Sequence, residues 1–388
     1  MFNRWLKFPE NSTCMLLGAR RVGKTTLLRQ RFPDAIYYTL DDFDVLRFAR
    51  TDPKGLIQSI TKSFAIIDEI QRCPELLIAV KYAIDTQNKT FIMTGSSALG
   101  LLSQGVETLA GRMHPLELPT ACWGEELGPP THECFNVVNQ LQAIKARRQL
   151  KDSIIYGGFP EVINCNNAES KQEILHNYKN SYFAKDLALL SNVENADGLM
   201  AILSYLAISL GSHTSVVNAA RESALSYPTA RKYLNVLEAS RLVFKLYGYQ
   251  FGPAKRHAKA AKYYFADNGI LFALGIKVSI GQQLENFVIA EIEKRRRLGR
   301  FNCDQLLYYQ SAGGAEIDII IDEPSLTTAI EIKNTINPAA NDVRHLKTFL
   351  NSKNADKPRR ALLLHMGDNA SIENDVQLLP IAHLWRSL

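Results

Sequence analysis

The first hundred residues alternate short apolar runs with stretches of helical character. Four runs of five or six residues each end at, or are followed directly by, a polar residue or a glycine: 13–18, 35–40, 64–68 and 90–94. Continuous apolar strands separated by helices are typical of a parallel sheet with helices on both faces. Ligands of such sheets bind beyond the carboxyl ends of the strands. The pattern therefore predicts an α/β front domain with a site at that edge.

The pattern changes twice further along the chain. Beyond about residue 120 it predicts helices over 136–150 and 168–210, with a Gly-Gly-Phe-Pro turn at 157–160. After about residue 280 the strand signal returns at 305–309, 316–321, 329–332 and 361–365. We therefore expect an α/β front, a helical middle and an α/β back, with boundaries at 1–130, 131–275 and 276–388.

The first apolar run leads into a phosphate-binding motif. Residues 18–25 read Gly-Ala-Arg-Arg-Val-Gly-Lys-Thr and match GxxxxGK[ST], and a helical stretch follows. The glycines let backbone N–H groups face phosphates, and the helix N-terminus adds partial positive charge. Lys24 is expected to reach the β- and γ-phosphates and Thr25 to coordinate Mg²⁺. The predicted nucleotide-binding residues are Gly18, Ala19, Arg20, Arg21, Val22, Gly23, Lys24, Thr25 and Thr26.

Acidic and hydroxyl residues follow the third and fourth apolar runs. We expect Asp68 to join Thr25 in the magnesium shell and Glu69 to polarise the attacking water. Ser96 is predicted to contact this water or the γ-phosphate, with Thr94 as the alternative. Arg112 is a candidate for stabilising transition-state charge, in its own subunit or across a subunit boundary. A structural ion pair is the alternative interpretation of Arg112.

These motifs together resemble prokaryotic AAA+-type ATPases that carry a C-terminal domain of undefined role. The matching segments keep the family's order over nearly the whole chain: 18–28, 67–71 (Ile-Asp-Glu-Ile-Gln), 94–97, 109–112 (Leu-Ala-Gly-Arg), 157–161, 233–238, 264–269 and 331–333 (Glu-Ile-Lys). The resemblance implies a P-loop ATPase core, a winged-helix-like middle and a restriction-endonuclease-like C-terminal fold. It implies no defined biological role.

The middle of the chain has an order of elements that suits DNA binding. Predicted helices at 198–212, 216–220 and 227–238 precede an apolar stretch at 242–249 in the position of a wing. Residues 241–300 hold twelve Lys or Arg and four Asp or Glu. Protein-packing modules share this order of helices, and a solvated helix face is the other interpretation of the charge. The predicted DNA contacts are Arg231, Lys232, Lys255, Arg256, Lys259 and Lys262.

Two late strands carry carboxylates and a lysine. Glu331 and Lys333 share one face of their strand, because side chains alternate, and Asp318 lies on the preceding strand. Two carboxylates can hold Mg²⁺, and a lysine can stabilise charge at a phosphate. The set resembles the core of PD-(D/E)xK nucleases, with Glu285 as a candidate third carboxylate and Glu316 as an alternative to Asp318. An inactive nucleic-acid-binding fold and a structural Lys–Glu pair are the other interpretations.

Composition narrows the class of protein. The 388 residues are 46% hydrophobic and 22% charged, which is ordinary for a globular protein. No apolar run approaches the ~18 residues of a membrane-spanning helix, and the first residues lack the apolar core of a signal peptide. Six scattered cysteines without a CxxC pair indicate a reducing compartment. We therefore expect a cytoplasmic protein without a membrane partner.

The sequence thus predicts an ATP-hydrolysing AAA+-type ATPase that acts on DNA through its middle and C-terminal domains. The expected cofactors are ATP and Mg²⁺, and the expected partners are DNA and further copies of the chain. Two alternatives stay open. One is an ATP-dependent metal nuclease, and the other is a nucleotide switch that acts on a protein partner.

Overall fold

The computed structural model describes residues 2–95, 109–136, 140–186, 196–249, 260–311, 313–352 and 356–388. Four residues with a predicted function lie outside these ranges: Ser96, Lys255, Arg256 and Lys259. Among the helices within them, none is both long and apolar enough to cross a bilayer.

A five-stranded parallel sheet forms the front of the molecule. Its strands are β1 (Cys14–Leu17), β2 (Ile36–Thr39), β3 (Phe64–Asp68), β4 (Thr90–Gly95) and β5 (His114–Glu117), in the order β2-β3-β4-β1-β5. The first four confirm the apolar runs. The fifth was not predicted, because it begins with an exposed His-Pro pair instead of an apolar run.

Helices cover both faces of this sheet, as the continuous apolar strands predict. They are α1 (Lys24–Arg31), α2 (Phe43–Thr51), α3 (Pro53–Gln58) and α4 (Leu76–Gln87). Alternate strand residues enter different cores: Met15 and Ile67 pack with α2–α4, whereas Leu16 and Ile66 pack with α1. The carboxyl ends of β1 and β3 therefore meet at one edge, beside the start of α1.

The middle of the chain is mainly helical within the described ranges, and its strands lie in its second half. Its helices are α5 (Gln140–Tyr156), α6 (Pro160–Ile163), α7 (Ala168–Tyr178), a π-helix (Lys179–Asp186), α8 (Ala196–Ile208), α9 (Val216–Glu222), α10 (Tyr227–Ala239) and α11 (Asn268–Leu274). Ser215 and Ser226 cap α9 and α10 through their hydroxyls. Pro228 lies in the first turn of α10, where a missing N–H costs nothing.

A second sheet of nine strands joins the middle to the back. Its strands are β6 (His213–Thr214), β7 (Val243–Gly248), β8 (Ala261–Phe265), β9 (Leu307–Gln310), β10 (Glu316–Asp322), β11 (Thr327–Lys333), β12 (Arg359–His365), β13 (Ser371–Glu373) and β14 (Val376–Pro380). The order is β13-β14-β12-β11-β10-β9-β7-β8-β6. Helices α12 (Ile280–Arg297) and α13 (Arg344–Leu350) accompany it. Because β7 pairs in parallel with β9, the expected middle and back regions share one sheet.

Candidate nucleotide site and the ion cluster behind it

The phosphate-binding loop runs from the end of β1 to the start of α1. Gly23 caps α1 with φ of 91°, in the left-handed region that glycine adopts without steric cost. Gly18 is needed for a different reason, since a β-carbon there would lie 2.5 Å from the carbonyl oxygen of Leu118. Both glycines of the motif are thus required by the backbone itself.

Lys24 is buried inside this loop. Its Nζ donates to the carbonyl oxygens of Gly18 at 2.8 Å and Ala19 at 3.1 Å. Burial lowers the pKa of Lys24, and the nearby charges of Glu69 and Asp68 oppose this effect. The ammonium group is therefore held by two backbone carbonyl oxygens of the loop itself.

Three hydroxyl groups from three different elements surround the carboxylate of Asp68 at the end of β3. Thr25 donates to Oδ2 at 2.9 Å and Tyr37 donates to the same oxygen, while Thr94 donates to Oδ1. Asp68 is only 4% exposed, so these contacts decide its orientation. Thr25 and Asp68, the two residues predicted to coordinate Mg²⁺, are therefore in direct contact.

Glu69 leaves the strand in a strained conformation. Its φ of 59° is in the left-handed region, which costs a non-glycine residue ~1–3 kcal/mol and is typical of functional sites. The backbone N–H of Glu69 donates to Thr94 Oγ1 at 3.1 Å, and its carboxylate accepts from Gln71. Thr94 therefore ties the end of β4 to both acidic residues.

A cavity of about 340 Å³ adjoins the loop, between α1 and α6. Val22 and Leu27 line one side, and Pro160 and Asn164 line the other. A β-carbon on Gly23 would lie 3.8 Å from Pro160, so α6 approaches the loop closely. The size is within the range of ligand pockets, and the sequence had predicted only a turn here. The available signal was the Gly-Gly-Phe-Pro motif at 157–160.

Arg112 forms an ion pair with Asp85 of α4, with Nε and Oδ1 2.6 Å apart. Both side chains are more than a third exposed. The structural ion pair is thus present, and catalytic use of Arg112 stays a prediction.

The basic run at 294–297 is neither a solvated helix face nor an exposed patch. Lys294 and Arg295 are 4% and 0% exposed and belong to a cluster with Asp267 and Glu291, called here the ion cluster. Lys294 Nζ lies 3.0 Å from Asp267 and 2.9 Å from Glu291, and Arg295 lies 2.6 Å from Glu291. Burial alone would lower the pKa of Lys294, but the two carboxylates raise it above its usual value.

Asp267 connects three parts of the chain within this cluster. It accepts from Thr120 Oγ1 at 2.7 Å, from the N–H of Gly158 at 2.9 Å and from Lys294 of α12. A β-carbon on Gly158 would lie 2.4 Å from the carbonyl oxygen of Ala121. The segment that leads into α6 is therefore anchored to the ATPase front and to the back of the molecule.

The carboxylates and the lysine predicted in the back do come together. Lys333 Nζ lies 2.7 Å from Glu331 Oε1, and Asp318 accepts from the N–H of Ile332 at 2.8 Å. Burial, and then the charges of Glu331 and Glu285, raise the pKa of Asp318 well above its usual range. In the described part of the chain, no group of three or more His, Cys, Asp or Glu is arranged to hold a metal ion. Glu285 instead accepts a hydrogen bond from Tyr264, 2.7 Å away.

The predicted DNA contacts separate into two kinds. Arg231 and Lys232 are exposed on α10. Lys262 differs from the expectation, since it is 3% exposed and forms an ion pair with Glu316. The reason is that β8 lies between β6 and β7, and every residue of this inner strand is buried.

Comparison with protein-family models divides the chain into three. Residues 10–127 match an AAA domain, residues 147–282 match a domain of unknown function (DUF8612), and residues 280–384 match a second domain of unknown function (DUF4143).

The relatives that this chain matches are distant in sequence. An uncharacterized protein of Mycobacterium tuberculosis is 25% identical over 339 residues, covering 84% of this chain and 71% of that protein. An uncharacterized protein of Methanocaldococcus jannaschii is 27% identical over 334 residues, covering 81% and 73%.

Solved structures that match parts of this chain include a Walker-type ATPase of Pyrococcus abyssi and a STAND signal-transduction ATPase of Pyrococcus horikoshii. The first has a TM-score of 0.42 and 15% identity, covering 68% of this chain and 91% of that one. The second has a TM-score of 0.24 and 14% identity, covering 75% and 45%. The phosphate-binding loop of residues 18–25 lies inside the stretch that matches an AAA domain, residues 10–127.

Proposed function

We propose that this chain binds ATP with Mg²⁺ and hydrolyses it at the edge where β1 and β3 end. The observation that carries the proposal is the contact between Thr25 and Asp68, 2.9 Å apart, beside a buried Lys24. Phosphoryl transfer by a P-loop ATPase requires a loop that binds the phosphates, and a hydroxyl and a carboxylate that hold Mg²⁺. The cavity between α1 and α6 is the space offered to the rest of the nucleotide.

Each residue then has a defined task. Lys24 exchanges its carbonyl contacts for the β- and γ-phosphates, and Thr25 and Asp68 hold Mg²⁺. The metal ion, when bound, neutralises charge that develops on the phosphates. Glu69 orients the attacking water and accepts its proton as the γ-phosphoryl group leaves ADP. The strained backbone of Glu69 directs this residue away from the strand.

Two variants separate binding from hydrolysis. Lys24→Ala should abolish nucleotide binding, because the cation for the phosphates is lost. Glu69→Gln should bind nucleotide normally but slow hydrolysis by about 100-fold or more, as expected when a general base is removed. Binding is measured with a fluorescent ADP analogue and hydrolysis by phosphate release. Lys7→Ala and Glu169→Gln, at exposed positions, are matched controls. Wild-type hydrolysis by Glu69→Gln would contradict the assignment.

We also propose that the ATPase acts on DNA through a winged-helix module in its middle region. Supporting this, α8, α9 and α10 precede an antiparallel pair of strands, β7 and β8, and β6 pairs with β8. In such a module the third helix enters the major groove. Helix α10 has this position, and Arg231 and Lys232 are exposed on it.

The DNA proposal is tested through the salt dependence of binding. Each phosphate contact contributes about 0.9 to the slope of log affinity against log salt. Replacing Arg231 and Lys232 by Ala should therefore flatten the slope by up to about 1.8 for duplex DNA. The exposed pair Lys7 and Lys54, replaced in the same way, should not change it. An unchanged slope, with ATP hydrolysis insensitive to DNA, would favour a switch that acts on a protein.

Nuclease activity forms no part of the proposal. Lys333 donates to Glu331 and Tyr264 donates to Glu285, and the described residues contain no group of three or more His, Cys, Asp or Glu that could hold a metal ion. A cytoplasmic location does belong to the proposal. All six cysteines are free thiols, which supports a reducing compartment.

A further inference from the structure

A tyrosine outside the nucleotide-binding motifs contacts the carboxylate assigned to the metal. Tyr37 lies on β2, which pairs in parallel with β3 so that Tyr37 is opposite Ile66 and Thr39 is opposite Asp68. The hydroxyl of Tyr37 donates to Asp68 Oδ2. Nothing in the motif spacing singles out this residue, since it belongs to an ordinary apolar run.

This contact is one of three hydrogen bonds that the Asp68 carboxylate accepts from hydroxyl groups. Oδ2 of Asp68 accepts from both Thr25 and Tyr37, and Oδ1 accepts from Thr94. The guanidinium of Arg29, on α1, lies 4.8 Å from the centre of the Tyr37 ring, and this contact holds the ring against α1. Tyr37 therefore has a fixed ring and a hydroxyl directed at one carboxylate oxygen.

Thr25 and Tyr37 differ in what they do once a metal is present. Thr25 would hold Mg²⁺ through a lone pair of its hydroxyl oxygen, and its hydroxyl hydrogen would still be able to donate to Asp68. Tyr37 is not a predicted ligand, and its hydroxyl is free to keep Asp68 in place. Partners that orient metal ligands commonly control metal affinity by about 10- to 100-fold.

We propose that Tyr37 is a positioning residue that holds Asp68 in the orientation that Mg²⁺ requires. The inference rests on the proposed nucleotide site, and it adds to that site a residue from within a third strand, β2. The inference makes a specific prediction about nucleotide binding. Loss of the hydroxyl should weaken the metal-dependent part of nucleotide binding and leave the metal-independent part unchanged.

The test compares Tyr37→Phe with Tyr38→Phe. Both substitutions remove one hydroxyl from β2, but the Tyr38 hydroxyl contacts Ser59 on the protein surface, 3.1 Å away. Affinity for a fluorescent ADP analogue is measured in EDTA and at graded Mg²⁺. Tyr37→Phe should raise the Mg²⁺ concentration at half-effect by about 10-fold, with unchanged affinity in EDTA. Tyr38→Phe should match the wild type.

A second variant shows whether the effect passes through Asp68. In an Asp68→Asn background, Tyr37→Phe should change the Mg²⁺ midpoint no further, because the oriented carboxylate is already gone. Equal midpoints for wild type and Tyr37→Phe, or additive effects with Asp68→Asn, would overturn the inference. Failure of the wild type to hydrolyse ATP, despite Mg²⁺-dependent binding, would instead overturn the proposed function alone. Melting curves confirm that each variant is folded.

Discussion

Loss of Lys294 should destabilise this fold strongly, although the residue belongs to a basic run that looks like a surface feature in the sequence. We consider Lys294→Met, which keeps the length of the side chain but removes its charge. In the native protein Nζ contacts Asp267 at 3.0 Å, Glu291 at 2.9 Å and the carbonyl oxygen of Ala121 at 3.1 Å. The substitution leaves these oxygens buried without their cation.

The expected cost follows from what each partner retains. Removing one member of a buried ion pair typically costs about 3–5 kcal/mol, because the remaining charge has no compensation. Glu291 keeps Arg295 at 2.6 Å and the N–H of Trp123 at 2.8 Å. Asp267 keeps Thr120 and two backbone N–H groups, but no cation. We therefore expect the lower part of the range, about 3 kcal/mol.

Urea unfolding at pH 7, followed by tryptophan fluorescence, measures this cost, and Trp123 reports on the ion cluster itself. Arg147→Met is the matched control, since Arg147 makes two contacts with Asp368 at 2.7 and 2.8 Å on the surface. Its loss should cost at most about 1 kcal/mol. Adding Asp267→Asn to Lys294→Met should restore about 1 kcal/mol or more, because the uncompensated charge disappears. Equal unfolding midpoints for Lys294→Met and Arg147→Met would refute the reasoning.

Two further predictions concern pH and assembly. His383 is 2% exposed, and burial, with the charges of His132 and His365, lowers its pKa to about 4. The folded state then binds fewer protons than the unfolded state, so stability is complete above pH ~6.5 and falls by about 3 kcal/mol as the pH drops to about 4. His383→Leu should flatten urea midpoints plotted against pH, and an unchanged profile would contradict this. If Arg112 acts across a subunit boundary, Arg112→Ala mixed with Glu69→Gln should regain part of the ATPase activity, because mixed assemblies contain some intact sites. Absence of rescue, with a rate per subunit independent of dilution, would exclude that mode.

Much of the front of the molecule was predictable from local sequence. The four apolar runs became β1–β4, and the loop of residues 18–25 lies between β1 and α1. Gly23 shows why local sequence is enough here. Its left-handed φ favours glycine, and the presence of a glycine is visible in the sequence itself. The neighbouring positions of Thr25 and Asp68 followed from topology, because carboxyl ends of parallel strands share an edge.

Charge on its own was a poor guide to exposure. Lys262 and Lys294 occur in the basic stretch of residues 241–300, yet both are buried against carboxylates. Their partners include Glu316, 54 positions from Lys262 along the chain, and Asp267, 27 positions from Lys294. No window of sequence shows such a pairing, because the periodicity of a helix or strand reports only nearby positions.

The sequence by itself determined most of the local conformations: strands β1–β4 of the first sheet, the phosphate-binding loop and the capped helices of the middle. These depend on backbone preferences and apolar periodicity within a few residues. Only the tertiary structure decided that β7 pairs with β9, that Pro160 approaches Gly23 and that Tyr37 contacts Asp68. Each of these contacts joins segments whose distance in space depends on how whole elements pack. That packing follows from the total burial of apolar surface and the pairing of buried charges, which are properties of the complete fold.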